Sequence, residues 1–264
     1  MKSPIISIIT VCRNNLPGLK HTFESIRNQK FLDFEWIIID GNSNDGTKEY
    51  LNALNYPKFY LSEPDTGIYD AMNKGLKFVN GDYIVYMNSG DSFYDENSLN
   101  FVQSIIKNES KTPDVLLFGF TLKLPNGSFI NRLPRSILNY IWHGMPTNHQ
   151  AIFFSKKVIV DNPYDLSYKI CGDYYLLARI FTKKYKVINN DTSTAIFDVG
   201  GTSFNKPWLL MHEAYRIKRD ILKLPYSLRV LSFSKSLVSI FGLRFLSKAN
   251  NNLISILKKK FRII

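Results

Sequence analysis

Apolar runs and helical stripes alternate along the first third of the chain. Residues 5–11 are an apolar run, IISIITV, followed by the turn-rich RNNLPGL. Leu19, Phe23 and Ile26 then recur at helical spacing and predict a helix over 17–29. A second apolar strand, EWIII at 35–39, ends at Asp40. It gives way to the loop GNSNDGT, where Ser43 or Asp45 suits the cap of a helix TKEYLNAL. A third, shorter strand is predicted at 58–62. The loop SEPDTG leads to a helix IYDAMNKGLKFV with Ile68, Met72, Leu76 and Val79 as its stripe, and a fourth strand covers 83–87. This alternation predicts βαβ units, a mostly parallel sheet and right-handed crossovers. Polar residues cluster where each strand ends: Arg13 and Asn14, Asp40 and Gly41, Glu63 to Asp65, and Asn88 to Asp91. Parallel strands bring all four clusters to one edge, where α/β proteins hold their ligands.

After Asp91 the pattern changes. A helix is predicted at 97–107 and a strand or hairpin over VLLFGFTLKLPNGSFI, turning at Pro125-Asn126-Gly127. HQAIFF at 149–154 reads as a strand. CGDYYLLARIF at 171–181 reads as a helix with Leu176, Leu177, Ile180 and Phe181 on its apolar face, and KVI and TAIFDV read as two short strands. This α+β half extends the sheet and covers its polar edge. Residues 207–264 read as basic helices, with LRVLSFSKSLVSIFGLRFL and LISILKKKFRII carrying exposed apolar and cationic positions together. Such helices suit a membrane interface, and equally suit packing on the body with Lys and Arg in water.

A chain of 264 residues with 45% hydrophobic and 21% charged residues can bury a full core, which excludes global disorder. The two cysteines, Cys12 and Cys171, show no metal spacing and no disulfide framework, so a reducing compartment fits. The apolar residues 5–12 follow a single Lys and lead into a loop without a small-residue cleavage site, so no leader is expected there. No run reaches the roughly 18 apolar residues of a membrane span. The expected location is cytoplasmic or peripheral to a membrane.

The net charge of +12 is unevenly spread. Residues 1–200 hold 21 Lys and Arg against 20 Asp and Glu, whereas residues 201–264 hold 13 against 2. A nearly neutral body therefore carries a basic tail, and a body-wide nucleic-acid footprint is excluded.

The densest candidate chemistry is DYIVYMNSGD at 82–91. An apolar strand runs into a polar tip with Asn88, Ser89, a turning Gly90 and the carboxylate of Asp91. A hard divalent cation and a diphosphate need such a strand end, although the same residues also make ordinary turns.

Taken in order, ISIITVCRN, EWIIIDGNSNDGT, EPDTGIYDAMNKG and GDYIVYMNSGD resemble the family 2 inverting glycosyltransferases of the glycosyltransferase A fold. The resemblance is closest to the bacterial subgroup that builds capsule, exopolysaccharide and O-antigen. It is strong over 5–91 and weaker through HQAIFF and CGDYYLLARI to about residue 205. It implies an α/β fold, a Rossmann-like mostly parallel sheet flanked by helices, with a basic helical C-terminal extension. It also implies a catalytic domain over 1–205, divided into a nucleotide-sugar half (1–91) and an acceptor half (92–205), with the extension at 206–264.

The resemblance implies roles as well. Thr10 and Arg13 stand where the family's first strand meets the nucleotide, and Asp40 matches the aspartate that bonds the donor base. Asp65 lies at the edge of that pocket, or caps the next helix. Asn73 and Lys74 lie on the helix beside the donor, where Lys74 would meet a phosphate or simply pair with Asp70. The family's Asp-x-Asp metal motif maps onto Asn88-Ser89-Gly90-Asp91, leaving Asp91 as its only acid. Mg2+ or Mn2+ would then bind weakly alone and more tightly with nucleotide. Asp173 matches the catalytic base, with an alternative as the N-cap of its helix. His149 and Gln150 would line the acceptor or diphosphate side, and Gly200-Gly201-Thr202-Ser203 resembles a loop of the same subgroup.

The implied reaction is a single displacement with inversion on a nucleoside-diphosphate sugar, a UDP-sugar ahead of a GDP-sugar. The implied acceptor is a polyprenyl-linked or other saccharide, met at an anionic membrane surface through residues 226–264 on the inner face of the plasma membrane. Two other readings compete. A sugar nucleotidyltransferase would show a glycine-rich loop where CRNNLPG has one glycine. A membrane- or nucleic-acid-binding module would rest on the basic tail alone, and no nucleic-acid motif is present.

Overall fold

In a computed structural model, residues 3–56, 58–124, 126–198 and 206–248 are described, with side chains to residue 237. The predicted Gly200–Ser203 loop, Pro125 of the hairpin turn and the Lys-rich 249–264 lie outside the described residues. The first half runs β1 (Ile6–Cys12), α1 (Leu16–Arg27), β2 (Phe34–Asp40), α2 (Thr47–Ala53), β3 (Phe59–Ser62), α3 (Ile68–Leu76), β4 (Tyr83–Tyr86), as the periodicities predict. The second half adds β5 (Ser92–Phe93), α4 (Ser98–Asn108), β6 (Val115–Lys123), β7 (Phe129–Arg132), α5 (Ile137–Tyr140), β8 (Ile152–Ser155), α6 (Lys156–Val160), α7 (Gly172–Thr182), β9 (Val187–Asp198), α8 (Pro207–Asp220) and α9 (Tyr226–Lys248).

The described strands form one sheet in the order β3-β2-β1-β4-β8-β6-β9-β5, with β7 paired to β6. From β3 to β4 all pairs are parallel, so Cys12 lies beside Asp40 and Asp40 beside Ser62. All three chain exits therefore open at one edge. The later strands are mixed: β8 is antiparallel to β4 and β6, while β9 is parallel to β6.

Helices cover both faces, and this sets the apolar runs. In β1, Ile9 and Val11 face one core cluster with Tyr69, Met72, Leu177 and Ile180, whereas Ile6, Ile8 and Cys12 face another with Leu19, Phe23, Ile26 and Trp36. A strand buried on both sides reads as a continuous apolar run. Asn15 accepts the Gly18 N–H at 3.2 Å and caps α1, and Leu19, Phe23 and Ile26 are its buried stripe.

Two expectations for the second half are corrected. HQAIFF is a strand only from Ile152, because His149–Ala151 is a 3-10 turn. KVI and TAIFDV are one strand, β9, held to β6 through an irregular register near Gly119. The polar NNDTS between them reads as a break in the sequence, but the strand continues across it through a bulge at Asp191 and Thr192, with pairing to β6 resuming at Ser193. The tail's first helix, α8, joins the body, with Met211 and Ile217 buried.

Candidate active site

The exits of β1 and β4, the start of α3, the 3-10 turn and the N-terminus of α7 line one cleft of about 1110 Å3, which continues to α8 and α9. Its first wall is the turn after β4. Gly90 has φ +106°, which a side chain would strain. Thr22 of α1 clamps this turn: its hydroxyl donates to the Asp91 carbonyl at 2.7 Å and accepts the Gly90 N–H at 3.0 Å. Asn15 adds a bond from its amide to the Ser89 carbonyl at 3.2 Å, and the Ser89 hydroxyl donates to the Asn15 carbonyl at 3.1 Å. The helix after β1 thus fixes the tip of β4.

Within this wall, the Gln150 amide donates to Asp91 Oδ2 at 2.5 Å. The Asn88 amide donates to His149 Nε2 at 2.9 Å, and His149 Nδ1 stands 3.8 Å from Asp173 Oδ2. With Nε2 accepting, the ring proton sits on Nδ1 and faces Asp173. Asp173 and His149 remain partly open to the cleft, with side chains 21% and 14% exposed.

These residues fit a hard divalent ion. Asn88 Oδ1 and Gln150 Oε1 are buried without a hydrogen-bond partner among the described residues, and the Gln150 amide is the group bonded to the Asp91 carboxylate. Orphaned buried acceptors are rare and call for an explanation. Carbonyl and carboxylate oxygens are what Mg2+ and Mn2+ accept. No group of three or more His, Cys, Asp or Glu gathers around a point among the described residues.

Asp173 lies in the first turn of α7, and its position is built from two sides. A Cβ on Gly172 would come within 2.6 Å of the Tyr69 ring, so only glycine admits this approach. Glu213 of α8, buried, accepts the N–H groups of Lys169, Ile170 and Cys171 at 2.7, 2.9 and 2.8 Å. That carboxylate caps the segment entering α7 from outside. The expected alternative for Asp173 as N-cap is corrected: Cys171 occupies the cap, and Asp173 Oδ1 accepts only the adjacent Tyr174 N–H at 2.8 Å. Beneath it, Tyr69 and Tyr164 stack at 4.9 Å. Burial first, with the Asp173 charge adding, pushes both phenols well above their ordinary range, so they are neutral. Tyr164 lines the cleft with a hydroxyl that has no partner among the described residues.

Of the residues expected at the site, Arg13, Asp65, Asn88, Ser89, Asp91, His149, Gln150 and Asp173 line the cleft together. Arg13 stands 3.9 Å from Asp65, whose Oδ1 accepts the Gly67 N–H at 2.9 Å at the start of α3. Four others are occupied elsewhere and do not line it. Thr10 accepts the Trp36 indole N–H at 2.9 Å inside the core. Asp40 is fully buried and accepts the hydroxyls of Ser43 and Ser62 at 2.5 and 2.6 Å. Asn73 exchanges two hydrogen bonds with the Tyr164 backbone at 2.8 and 2.9 Å. Lys74 pairs with Glu63 at 2.8 Å and Asp70 at 3.7 Å and donates to the Pro64 carbonyl at 2.6 Å. The Asp70 pairing is the second of the two readings that its helical spacing allows.

Sequence reasoning missed Thr22, Tyr164 and Glu213. A signal existed for Glu213, one of only two acids in residues 201–264 and set in mid-helix beside Leu209, Leu210 and Met211.

A family model described as glycosyl transferase family 2 matches residues 7–151. An uncharacterized glycosyltransferase of Mycobacterium tuberculosis is 33% identical over 183 residues, covering 67% of this chain and 69% of its own. A PGL/p-HBAD biosynthesis glycosyltransferase of Mycobacterium bovis is 30% identical over 194 residues, covering 69% and 72%. Among solved structures, S. aureus TarS 1-349 in complex with UDP-GlcNAc superposes with TM-score 0.61 at 17% identity, over 88% of this chain and 71% of that one. The mannosyltransferase PcManGT of Pyrobaculum calidifontis, with GDP-Man and Mn2+, gives TM-score 0.65 at 10% identity, over 100% and 81%. At these identities the two structures establish a common fold, that of glycosyltransferases.

Proposed function

The chain belongs to glycosyl transferase family 2, and from that premise we propose an inverting transferase that moves a hexosyl group from a UDP-sugar to a lipid-linked saccharide. The observation that carries this reading is the approach of Asp91, Asn88 and Gln150 on one side and His149 and Asp173 on the other within a single cleft.

In this proposal the nucleotide lies along the exits of β1 and β2, against Arg13 and Asp65. Asp40 supports the base pocket from behind by fixing Ser43 and Ser62. Asp91, Asn88 Oδ1 and Gln150 Oε1 are the groups that would hold Mg2+ or Mn2+. When bound, that ion offsets charge developing on the leaving diphosphate. Asp173 takes the proton from the acceptor hydroxyl as that oxygen attacks the anomeric carbon. His149, with its Nδ1 proton toward Asp173, orients the carboxylate. One displacement inverts the anomeric centre and needs no enzyme nucleophile. The partly exposed Asp173 is suited to this work, because a base must reach the hydroxyl that it deprotonates.

Domains divide by role in this reading: donor residues in 1–91, acceptor residues in 92–205, and a basic extension in 206–264 whose first helix is part of the body. The bacterial surface-polysaccharide subgroup is supported by the strand-end strings and by a relative named for PGL/p-HBAD biosynthesis. The donor proposed is a UDP-sugar ahead of a GDP-sugar, and the neighbour complexed with UDP-GlcNAc supports that choice. A panel of nucleotide sugars tests the assignment. With Mn2+, one UDP-sugar is expected to be consumed with release of UDP. Turnover confined to GDP-sugars, or to none of the panel, refutes it.

Membrane contact is the second element. Trp208, Tyr226, Val230, Leu231 and Phe233 are exposed on α8 and α9, in the part of the chain that holds 13 Lys and Arg against 2 acids. No helix of the described residues is long and apolar enough to cross a membrane. Peripheral docking on an anionic leaflet, on the inner face of the plasma membrane, suits this surface. Full-length protein is expected to co-sediment with phosphatidylglycerol vesicles at low salt and to be released as salt rises. Equal sedimentation with neutral vesicles would rule the electrostatic part out.

A further inference from the structure

We propose that the end of the cleft beyond Asp173 is an anion-binding subsite centred on Lys218, and that the acceptor presents a phosphoryl group there. This deepens the transferase reading and rests on it. A path of contacts leads from the reacting end. Asn88 bonds His149, His149 faces Asp173, and Tyr174 follows Asp173 with its ring 5.8 Å from the Lys218 ammonium. Lys218, His143 and Ser236 line the same cleft as Asp91.

Lys218 is only 3% exposed and has no carboxylate partner among the described residues. Its ammonium donates to the Ser232 hydroxyl of α9 at 2.6 Å. That hydroxyl lies 2.9 Å from His143 Nδ1 and donates to the His143 carbonyl at 3.3 Å. Lysine is almost never buried unpaired, because removing its charge from water is costly. The nearby acids are committed: Glu213 to three backbone N–H groups, and Asp220 to Arg219 at 2.6 Å. Burial pulls Lys218 down to about 8, which still leaves it charged at neutral pH.

More cations gather at the rim. Arg135 lies over the Tyr140 ring at 4.2 Å and Lys235 over the Trp142 ring at 4.9 Å. Burial, then Lys218, Lys235 and Arg135, press His143 down to about 4, with no acid offsetting them. The buried Lys218 ammonium, with exposed Arg135 and Lys235 adding positive charge beside His143, has no counter-charge among the described residues. A doubly charged phosphoryl group matches this excess better than a single carboxylate, and lysine serves phosphate as a point charge.

The test uses full-length protein saturated with UDP and Mg2+, so that the donor's diphosphate site is filled, with melting followed at constant ionic strength. Replacing chloride by inorganic phosphate is expected to raise the melting temperature. Lys218→Met is expected to lose that rise, corresponding to phosphate affinity weakened about tenfold or more, while UDP affinity stays unchanged. Arg135→Gln, on the exposed rim, leaves the core intact and is expected to weaken phosphate by about threefold. No rise in the wild type, an equal rise in Lys218→Met and Arg135→Gln, or a larger rise with benzoate than with phosphate overturns the proposal. UDP titrated with Mg2+ and without phosphate reads the transferase proposal separately: UDP binding without a phosphate effect sinks this subsite only.

Discussion

Replacing Asp173 by Asn is expected to lower sugar transfer by about a thousandfold while leaving UDP affinity within about twofold, the range of a lost general base. The carboxylate is 3.8 Å from His149 Nδ1 and bonded otherwise to one adjacent backbone N–H, so little of the fold depends on its charge. The segment entering α7 is held by Glu213 and by the close approach of Gly172 to Tyr69, and the asparagine variant keeps both. Asn retains the shape of the side chain and its bond to Tyr174, but it does not accept the acceptor's proton. Loss of kcat with unchanged UDP binding is therefore the signature of a base. Loss of UDP binding in step with kcat would instead make Asp173 a donor-binding group.

Much of this site is legible in the sequence because parallel strands convert one-dimensional pattern into shared location. Arg13, Asp65, Ser89 and Asp91 each follow an apolar run, and the observed register brings those runs out at one edge. Resemblance carried the second half, where His149, Gln150 and Asp173 follow no such rule. What the sequence conceals is which polar side chain a distant element consumes. Thr10 is taken by Trp36, Asn73 by Tyr164 and Lys74 by Glu63, and none of these pairings has a local signature. The broken pattern of β9 fails for a related reason, since ladder hydrogen bonds tolerate polar side chains that a hydrophobic count treats as a break. Glu213 and Lys218 belong to a helix that reads as part of a basic tail, and only its packing against the start of α7 makes Lys218 a cleft residue and Glu213 a support of the segment entering α7.

Asp91 carries the second large effect, because it is the one acid in the strand-end motif and its Oδ2 is bonded to Gln150. Its removal leaves Asn88 Oδ1 and Gln150 Oε1 as neutral donors, too weak to compete with water for Mg2+ or Mn2+. Losing a group that only hydrogen-bonds a metal ligand costs about 10–100-fold in metal affinity, so deleting the carboxylate ligand itself is expected to cost at least about 100-fold. Thr22 and Asn15 hold the surrounding turn through backbone atoms, so Asp91→Ala leaves that turn in place. Calorimetric titration of UDP into wild type and Asp91→Ala, each with Mn2+ or with EDTA, examines the site where every role assigned above begins. Tight UDP binding in the wild type that requires Mn2+, weakened at least about 100-fold in Asp91→Ala, is the predicted result. Equal UDP affinity in the two proteins with Mn2+, or no UDP binding by either, would contradict it.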